Sequence, residues 1–523
     1  MVLRFLGSKY VWLVFAVVCL ALYTWRPNPE PDTTHYLDIA RTLATQGQAA
    51  TYHLQVTSQR IPDPDLLWPP GYPVLLSLCL RLGCTSVQAT SLVSLLSHTA
   101  VVVLLLVLLR RPEWALLGLI VWLQLIWGCG VARMAMSEAP CFPLAVGALI
   151  ACGFAPGGSR SRLLGMSALA GVLGGSAALT RWVGISVVPA FLLGGVLLAV
   201  LYRRDRGLRT QALVAGGGAA LVSALIVLLW LARNHLLNGS LLGPVRPPSE
   251  LTLAPVLREL LSNLSAGAFL PMALPLLLGL ALAPSNRDLV PPGEEQSRRR
   301  VHLESSVILL SVWAFVYLAL VLWQQTTTKM DPLGPRFLFA GYGAVLLVAL
   351  LTLEAKCQVA PRHVRRLQLA ACLLAPVLLL PGVGRALAYR PDPPNPTFEW
   401  VARHTPPDAL LIGHKIWDFR PATGRTVLES GEFYEGAPAL EGPPVAAFLR
   451  KHGDAFPNAY LIVREPDYAA ARESFAAAGI TLRIVHEDYT AISTQPPTPV
   501  EILQLTHWPG RAQPPEAVSK LPQ

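Results

Sequence analysis

Long apolar runs separated by short polar breaks fill most of the chain. They lie at Val11–Leu22, Val87–Leu109, Trp114–Cys129, Ala139–Phe154, Leu163–Leu179, Gly184–Leu201, Ala212–Leu231, Leu264–Ala283, Ser306–Trp323, Phe337–Leu353 and Leu367–Pro381. Each comes close to the ~20 residues that a helix needs to cross ~30 Å of hydrocarbon. The pattern predicts an α-helical polytopic membrane protein with about eleven spans. The alternating ten-residue pattern of a membrane β-barrel is absent from the sequence. The first run has basic residues ahead of it like a secretory signal, but it continues into Tyr23-Thr24-Trp25-Arg26-Pro27 without a small-residue cleavage site. It is therefore expected to stay as a helix.

Two stretches break the apolar rhythm. Residues 26–72 form a long polar first loop within a membrane domain expected to cover residues 1–384. After Pro391-Asp392-Pro393-Pro394-Asn395-Pro396, which reads as a linker, residues 385–523 have soluble character. Helices are expected over Thr397–His404 and Asp467–Ala478. Strands are expected over Ala409–Gly413, Ala459–Val463, Ile480–Val485 and Thr490–Ser493. The alternation predicts a small C-terminal α/β domain. Ser285–Arg300 reads as a flexible loop and the Pro-rich Gln495–Gln523 as a loose end.

Composition agrees with the spans. Hydrophobic residues make up 53% of the chain and charged ones 14%, with mean hydropathy +0.46. This is too little polar surface to cover a soluble globule of 523 residues, against about 25% charged in ordinary soluble domains. The net charge of +10 sits in short loops: Arg110–Arg111, Arg160 and Arg162, Arg203–Arg209, Arg298–Arg300, and Lys356–Arg366. With Arg4 and Lys9 they fall on one side if the runs are counted as spans, which the positive-inside rule makes the cytoplasm. The N-terminus is thus expected inside and the C-terminal domain outside, with no nucleic-acid partner. The eight cysteines lie mostly within apolar runs and read as small buried hydrophobes. His414, Asp418, Glu432 and His486 have no metal-ligand spacing and read as solvated surface.

The first loop carries the sharpest chemical signal. Asp32, Tyr36, Ala40 and Leu43 recur on one helical face, and Asp32 stands where it can cap that helix or face a site. Trp68-Pro69-Pro70-Gly71-Tyr72-Pro73 reads as a rigid, non-helical approach to the membrane. In the expected topology further polar residues gather at the outer mouths of later spans. They are Arg133 and Glu138, Arg181 with Trp182, Arg233-Asn234-His235, and Lys329, Asp331 and Arg336. Singly, each reads as an interfacial anchor. Jointly, basic residues on the side where they should be scarce point to an anionic ligand, because guanidinium groups grip phosphate oxygens bidentately. A carboxylate beside them can act as a base.

The Asp32-x-x-x-Tyr36-x-x-x-Ala40 stretch, the Trp68–Pro73 run, the Ser137-Glu138 helix mouth, Arg233-Asn234 and Pro335-Arg336-Phe337-Leu338 together resemble the GT-C membrane glycosyltransferases. More narrowly they are similar to bacterial relatives of the dolichyl-phosphate-mannose-protein mannosyltransferases and of the aminoarabinose transferase of lipid A. The resemblance covers the bundle, and implies transfer of a sugar from a polyprenyl-phosphate donor in the membrane lipid to an extracytoplasmic acceptor. It implies Asp32 as general base and Glu138 positioning acceptor or donor sugar. Arg181, Arg233 and Arg336 would hold the lipid phosphate, with Tyr36 and Tyr72 shaping the pocket. Arg133, Asn234 and Lys329 complete the expected substrate-binding set. Where several family members carry an acidic pair, Thr33 follows Asp32 here, and Asp38 would face away by helical phase. No metal and no cofactor are therefore expected. Two other classes compete. A transporter or lipid flippase would show mid-span ionisable residues or paired broken helices. A scaffold presenting the C-terminal domain would leave Asp32 and the outer arginines without a purpose.

Overall fold

The computed structural model describes residues 9–24, 31–56, 58–64, 68–131, 136–241, 248–266, 294–330, 332–356, 384, 395–414, 416, 418–429, 441–464, 467–490 and 498–510. In chain order the first elements are helices α1 (Lys9–Thr24) and α2 (Pro31–Gln46), then short strands β1 (Ala50–Thr51), β2 (His53–Gln55) and β3 (Asp63–Pro64). Helices α3 (Gly71–Arg81), α4 (Ser86–Leu108), α5 (Pro112–Gly128), α6 (Glu138–Gly153) and α7 (Arg160–Thr180) follow. A 3-10 turn, Trp182–Ser186, leads into α8 (Val187–Leu201), α9 (Arg206–Asn238), α10 (Leu253–Ala266), α11 (Glu294–Thr327) and α12 (Pro335–Lys356). The last part alternates α13 (Pro396–His404), β4 (Leu410–Gly413), α14 (Phe419–Thr423), β5 (Thr426–Glu429), α15 (Gly442–His452), β6 (Ala459–Arg464) and α16 (Tyr468–Ala477), then β7 (Thr481–Thr490) and β8 (Thr498–His507). These elements divide into two units. One comprises Met1–Glu30 with Leu66–Arg390, the other Pro31–Asp65 with Pro391–Gln523.

The first unit is helical. Among the described residues six helices are long and apolar enough to cross a membrane: Ser86–Leu108, Arg160–Thr180, Trp182–Leu201, Arg206–Leu237, Val301–Thr327 and Pro335–Glu354. Val11–Leu22, Gly71–Arg81, Trp114–Ile126 and Glu138–Gly153 are shorter apolar helices. Apart from residues 264–266, the expected spans Leu264–Ala283 and Leu367–Pro381 lie outside the described residues. Caps start the helices where the sequence supplies them: Thr85 and Gln88 form a reciprocal capping box for α4, and Asp205 accepts from the Leu208 amide at the start of α9. Small residues allow close helix contacts. A Cβ on Gly171 of α7 would stand 2.4 Å from Val222 Cβ of α9, so only glycine lets the two helices approach this closely. There the Ser223 hydroxyl donates to the Gly171 carbonyl at 2.8 Å. An aromatic cluster of Trp122, Phe142, Phe339 and Trp313 fills the centre, with Trp122 and Phe142 stacked 5.0 Å apart.

Two expectations fail in this unit. Gly71-Tyr72-Pro73 is not a non-helical approach but the first turn of α3, with Pro70 at its cap. Proline is tolerated there because the first amides of a helix have no partner within it. Glu294–Arg300 is not loop but the first turns of the 34-residue α11. Strong helix formers with acids leading bases favour that continuation.

The second unit is built on a six-stranded sheet of order β2-β5-β4-β6-β8-β7. The first four strands are parallel and the last two antiparallel to their neighbours. Its strands read as continuous apolar runs because both faces are covered. Leu410, Ile412, Leu461, Val463, Leu503 and Leu505 pack under α15 and α16 through Phe448 and Phe475. The alternate residues Leu411, Tyr460, Ile462, Val500 and Ile502 pack with Val401 of α13 and Phe419 of α14. Gln495–Gln523 was expected to be loose, yet Thr498–His507 forms β8, paired on both sides. The alternation of Val500, Ile502 and Leu503, Leu505 between the two faces outweighs the prolines around it. Strand β2 comes from the first loop, which the sequence assigns to the bundle, and pairs in parallel with β5 through His53–Val427, Leu54–Leu428 and Gln55–Glu429. Three residues are too few for a periodicity to announce a strand.

Candidate functional site

Within the helical unit, α12 serves as a ruler. Arg336 lies at its start and Glu354 near its end, eighteen residues or about 27 Å apart along the axis, close to the thickness of a bilayer core. At the Glu354 end, its carboxylate accepts from Arg299 at 2.9 Å and from the amides of Arg110 and Arg111 at 3.2 and 3.4 Å. Arg299 also donates to the Leu108 carbonyl. Two of the basic breaks seen in the sequence thus sit at one end of the unit.

The other end holds the candidate site. Glu138 opens α6, directly after Ser137. Arg181 lies where α7 stops: its backbone is extended (φ −154°, ψ 133°) before the 3-10 turn begins. This break lets the side chain return across the helix mouth to pair with Glu138 at 2.9 Å and to donate to the Ser137 hydroxyl at 3.2 Å. Gly184 permits the break, since a Cβ there would stand 2.4 Å from the Ala177 carbonyl oxygen. The Glu138 carboxylate is 5% exposed and Arg181 17%. The pair is electrostatic rather than an aligned hydrogen bond: among the described residues no donor has hydrogen-bond geometry to either Glu138 oxygen. Its capacity to accept is therefore not consumed by these neighbours.

Arg336 reaches the same mouth from α12. Its guanidinium lies 4.8 Å from the Phe337 ring centroid and that of Arg181 6.0 Å, so two cations flank one aromatic ring. Arg336 also contacts the Met136 sulfur at 3.6 Å. The Tyr317 hydroxyl fixes the turn by donating to the Phe337 carbonyl at 2.7 Å. Tyr72, in the first turn of α3, is buried. Arg233 and Asn234 form a separate station at the end of α9: Arg233 lies 4.3 Å over the Trp230 ring and donates to Asn234 at 2.9 Å, and Asn234 donates to the Leu241 carbonyl. Lys329 is exposed beyond α11. Arg133 and Asp331 lie outside the described residues.

Asp32 belongs to the second unit, half-buried in the first turn of α2. Tyr36 is buried one turn on. Asp38 does not look to solvent: it is 2% exposed, and its carboxylate accepts from the Thr51 hydroxyl (2.7 Å), the Tyr52 amide (2.6 Å) and Arg420 Nε (2.8 Å). A second polar cluster joins the carboxyl ends of β4 and β5 to His53, the first residue of β2: Glu429 Oε2 lies 3.5 Å from His53 Nε2 and its Oε1 3.6 Å from His414 Nδ1. The His35 and His53 rings lie with centroids 4.3 Å apart, tilted by 37°. Burial, and then the neighbouring His53, hold the His35 imidazole well below its ordinary pKa. His414 and His486 were expected on solvated surface; instead His414 faces Glu429, and His486 stacks on Trp400 at 4.5 Å and pairs with Asp488 at 3.5 Å. Among the described residues no group of three His, Cys, Asp or Glu is placed to hold a metal ion. Sequence reasoning missed Phe337 as the element shared by two arginines, and Arg420 as the partner of Asp38. Helical phase had set Asp38 apart from Asp32, but nothing pointed to a partner 382 residues away.

No protein-family model matches the sequence, and no curated protein does. Solved structures do. ArnT from Cupriavidus metallidurans bound to undecaprenyl phosphate aligns with TM-score 0.61 at 15% identity, over 95% of this chain and 98% of that one. The chain has the GT-C fold. The archaeal oligosaccharyltransferase AglB from Archaeoglobus fulgidus, in complex with an inhibitory peptide and a dolichol-phosphate, aligns with TM-score 0.52 at 13% identity, over 90% of this chain and 71% of that one. The Glu138–Arg181–Phe337–Arg336 mouth lies at one end of the helical unit, opposite the Glu354 cluster.

Proposed function

We propose that the chain is a glycosyltransferase that moves a sugar from a polyprenyl-phosphate donor to an acceptor hydroxyl outside the cytoplasm. The observation that carries this reading is the mouth itself: two guanidinium groups flank Phe337 beside a buried carboxylate. The GT-C fold supports it, as does the undecaprenyl phosphate bound by ArnT. In this reading Arg181 and Arg336 hold the phosphate of the lipid donor. Arg233 and Lys329 widen the positive field through which it arrives, and Asn234, Arg133, Tyr36 and Tyr72 shape the surroundings. Glu138 orients a sugar or acceptor hydroxyl.

Asp32 takes the proton of the acceptor hydroxyl as its oxygen bonds to the anomeric carbon. The bond from that carbon to the phosphate oxygen breaks, and the polyprenyl phosphate leaves with the electron pair. The leaving phosphate is already ionised, so no second carboxylic acid is needed to protonate it, unlike a glycosidase. A single displacement inverts the anomeric centre. The reading also places the Glu354 end and the N-terminus in the cytoplasm and the sheet-bearing unit outside, and counts about eleven spans in all.

The test uses purified full-length chain. Undecaprenyl phosphate is expected to bind, and Arg181→Ala and Arg336→Ala each to weaken binding by 10-fold or more. Release of undecaprenyl phosphate from pentose- and hexose-linked forms is expected for at least one sugar. Absence of binding, or wild-type affinity in both variants, overturns the phosphate assignment.

A further inference from the structure

We propose that Arg420 is a positioning residue for Asp32: it holds the helix that carries the base from behind, through Asp38. This rests on the reading of Asp32 as base. Asp32 and Asp38 lie on the same helix, α2, six residues apart. That is about 9 Å along the axis and about 240° around it, so a contact at Asp38 bears on the rotation of the helix from a different face than the one that carries Asp32.

The contact is built as a three-point hold. Asp38 is 2% exposed and takes donors from three places: the Thr51 hydroxyl, the Tyr52 amide and Arg420 Nε. The first two lie in the strand segment after α2. The third lies in α14, from the far end of the chain. Arg420 is itself restrained: it donates to the Gly424 carbonyl, which closes α14, and its guanidinium lies 4.8 Å over the Tyr52 ring. A guanidinium held on one edge by a carboxylate, on another by a carbonyl and on its face by an aromatic ring has little rotamer freedom left. Lysine cannot reproduce that fork. The same segment is fastened a second time where β2 joins β5 and His53 meets Glu429. The strand therefore stays docked when Arg420 is removed, and Asp38 keeps the Thr51 and Tyr52 donors; what is lost is the tie from α2 to α14, which loosens the rotation of α2.

A base displaced by about 1 Å loses on the order of 10²-fold in rate. Arg420→Ala is therefore expected to lower kcat by 10- to 100-fold, while donor KM and the Kd for undecaprenyl phosphate stay within twofold. Arg420→Lys, which keeps a cation, is expected to recover part of kcat. Hydrogen exchange on the full chain provides a readout independent of turnover: Arg420→Ala loses protection over residues 31–46 and keeps it in strand β6. Wild-type kcat in Arg420→Ala overturns the proposal. So does a fall in lipid affinity and β6 protection together with kcat, which marks a merely structural residue. Asp32→Asn is measured alongside. If it turns over like wild type, the base assignment has failed, and any kcat loss in Arg420→Ala then arises elsewhere. The exchange over residues 31–46 still decides whether Arg420 holds the helix.

Discussion

Replacing Arg181 by methionine keeps the length of the side chain and removes its charge. The partner, Glu138, is 5% exposed and stands 2.9 Å from the lost guanidinium. Taking one member from a buried pair strands the other charge, which costs about 3–5 kcal/mol. At about 2 °C per kcal/mol for a unit of this size, the unfolding midpoint of Arg181→Met should fall by about 6–10 °C. Glu138→Gln in the same chain removes the stranded charge, and the Glu138→Gln/Arg181→Met double variant should recover more than half of that loss. The assay is tryptophan fluorescence of the detergent-solubilised full chain, heated at one fixed rate because membrane proteins unfold irreversibly. If the two substitutions simply add, the pair has no coupling energy. The argument that Arg181 neutralises a buried carboxylate would then be wrong.

Further outcomes follow from the same geometry. Glu354→Gln, at the other end of α12, should lower the midpoint through about 1.5–3 kcal/mol of lost charge-assisted hydrogen bonding from Arg299. It should leave undecaprenyl-phosphate affinity unchanged, and a binding loss equal to that of Arg181→Ala would contradict the separation of the two ends. His35 is held neutral by burial, so its stabilising contribution is complete above the ordinary imidazole pKa of 6.5 and is lost as pH falls below it. At pH 5.5 the difference is about 1.4 kcal/mol relative to high pH. His35→Phe should flatten the fall in melting temperature between pH 7.5 and pH 5.5, and an unchanged slope would assign the acid sensitivity to other groups.

Much of the helical unit was legible because a membrane helix is announced by a run long enough to average over individual residues. Glu138, Arg181 and Arg336 were legible for a related reason: charged residues at the ends of such runs stand out. The sheet-bearing unit was harder to read. Its strands β4 and β6 showed as short apolar runs, but β5 has four residues and β2 has three. The prolines around β8 masked its alternation until pairing on both sides revealed it. The incorporation of the first loop into this sheet was not readable at all. It depends on pairing His53–Gln55 with Val427–Glu429 and on joining Asp38 to Arg420, and a single sequence holds no trace of contacts across some 380 residues. Separating Asp38 from Asp32 by helical phase was sound. What phase could not supply was the reason for a second acid on that helix, which is to be gripped.

The central claim is that Asp32 is the base of a transfer from a polyprenyl phosphate, and the most direct measurement compares Asp32→Asn with wild type. Both are given the same undecaprenyl-phosphate-linked sugar, and turnover is recorded with the Kd for undecaprenyl phosphate. Asparagine keeps the size and removes the capacity to take a proton. The account predicts at least a 10²-fold loss of kcat with lipid affinity and melting temperature unchanged. Undiminished turnover by Asp32→Asn would contradict it.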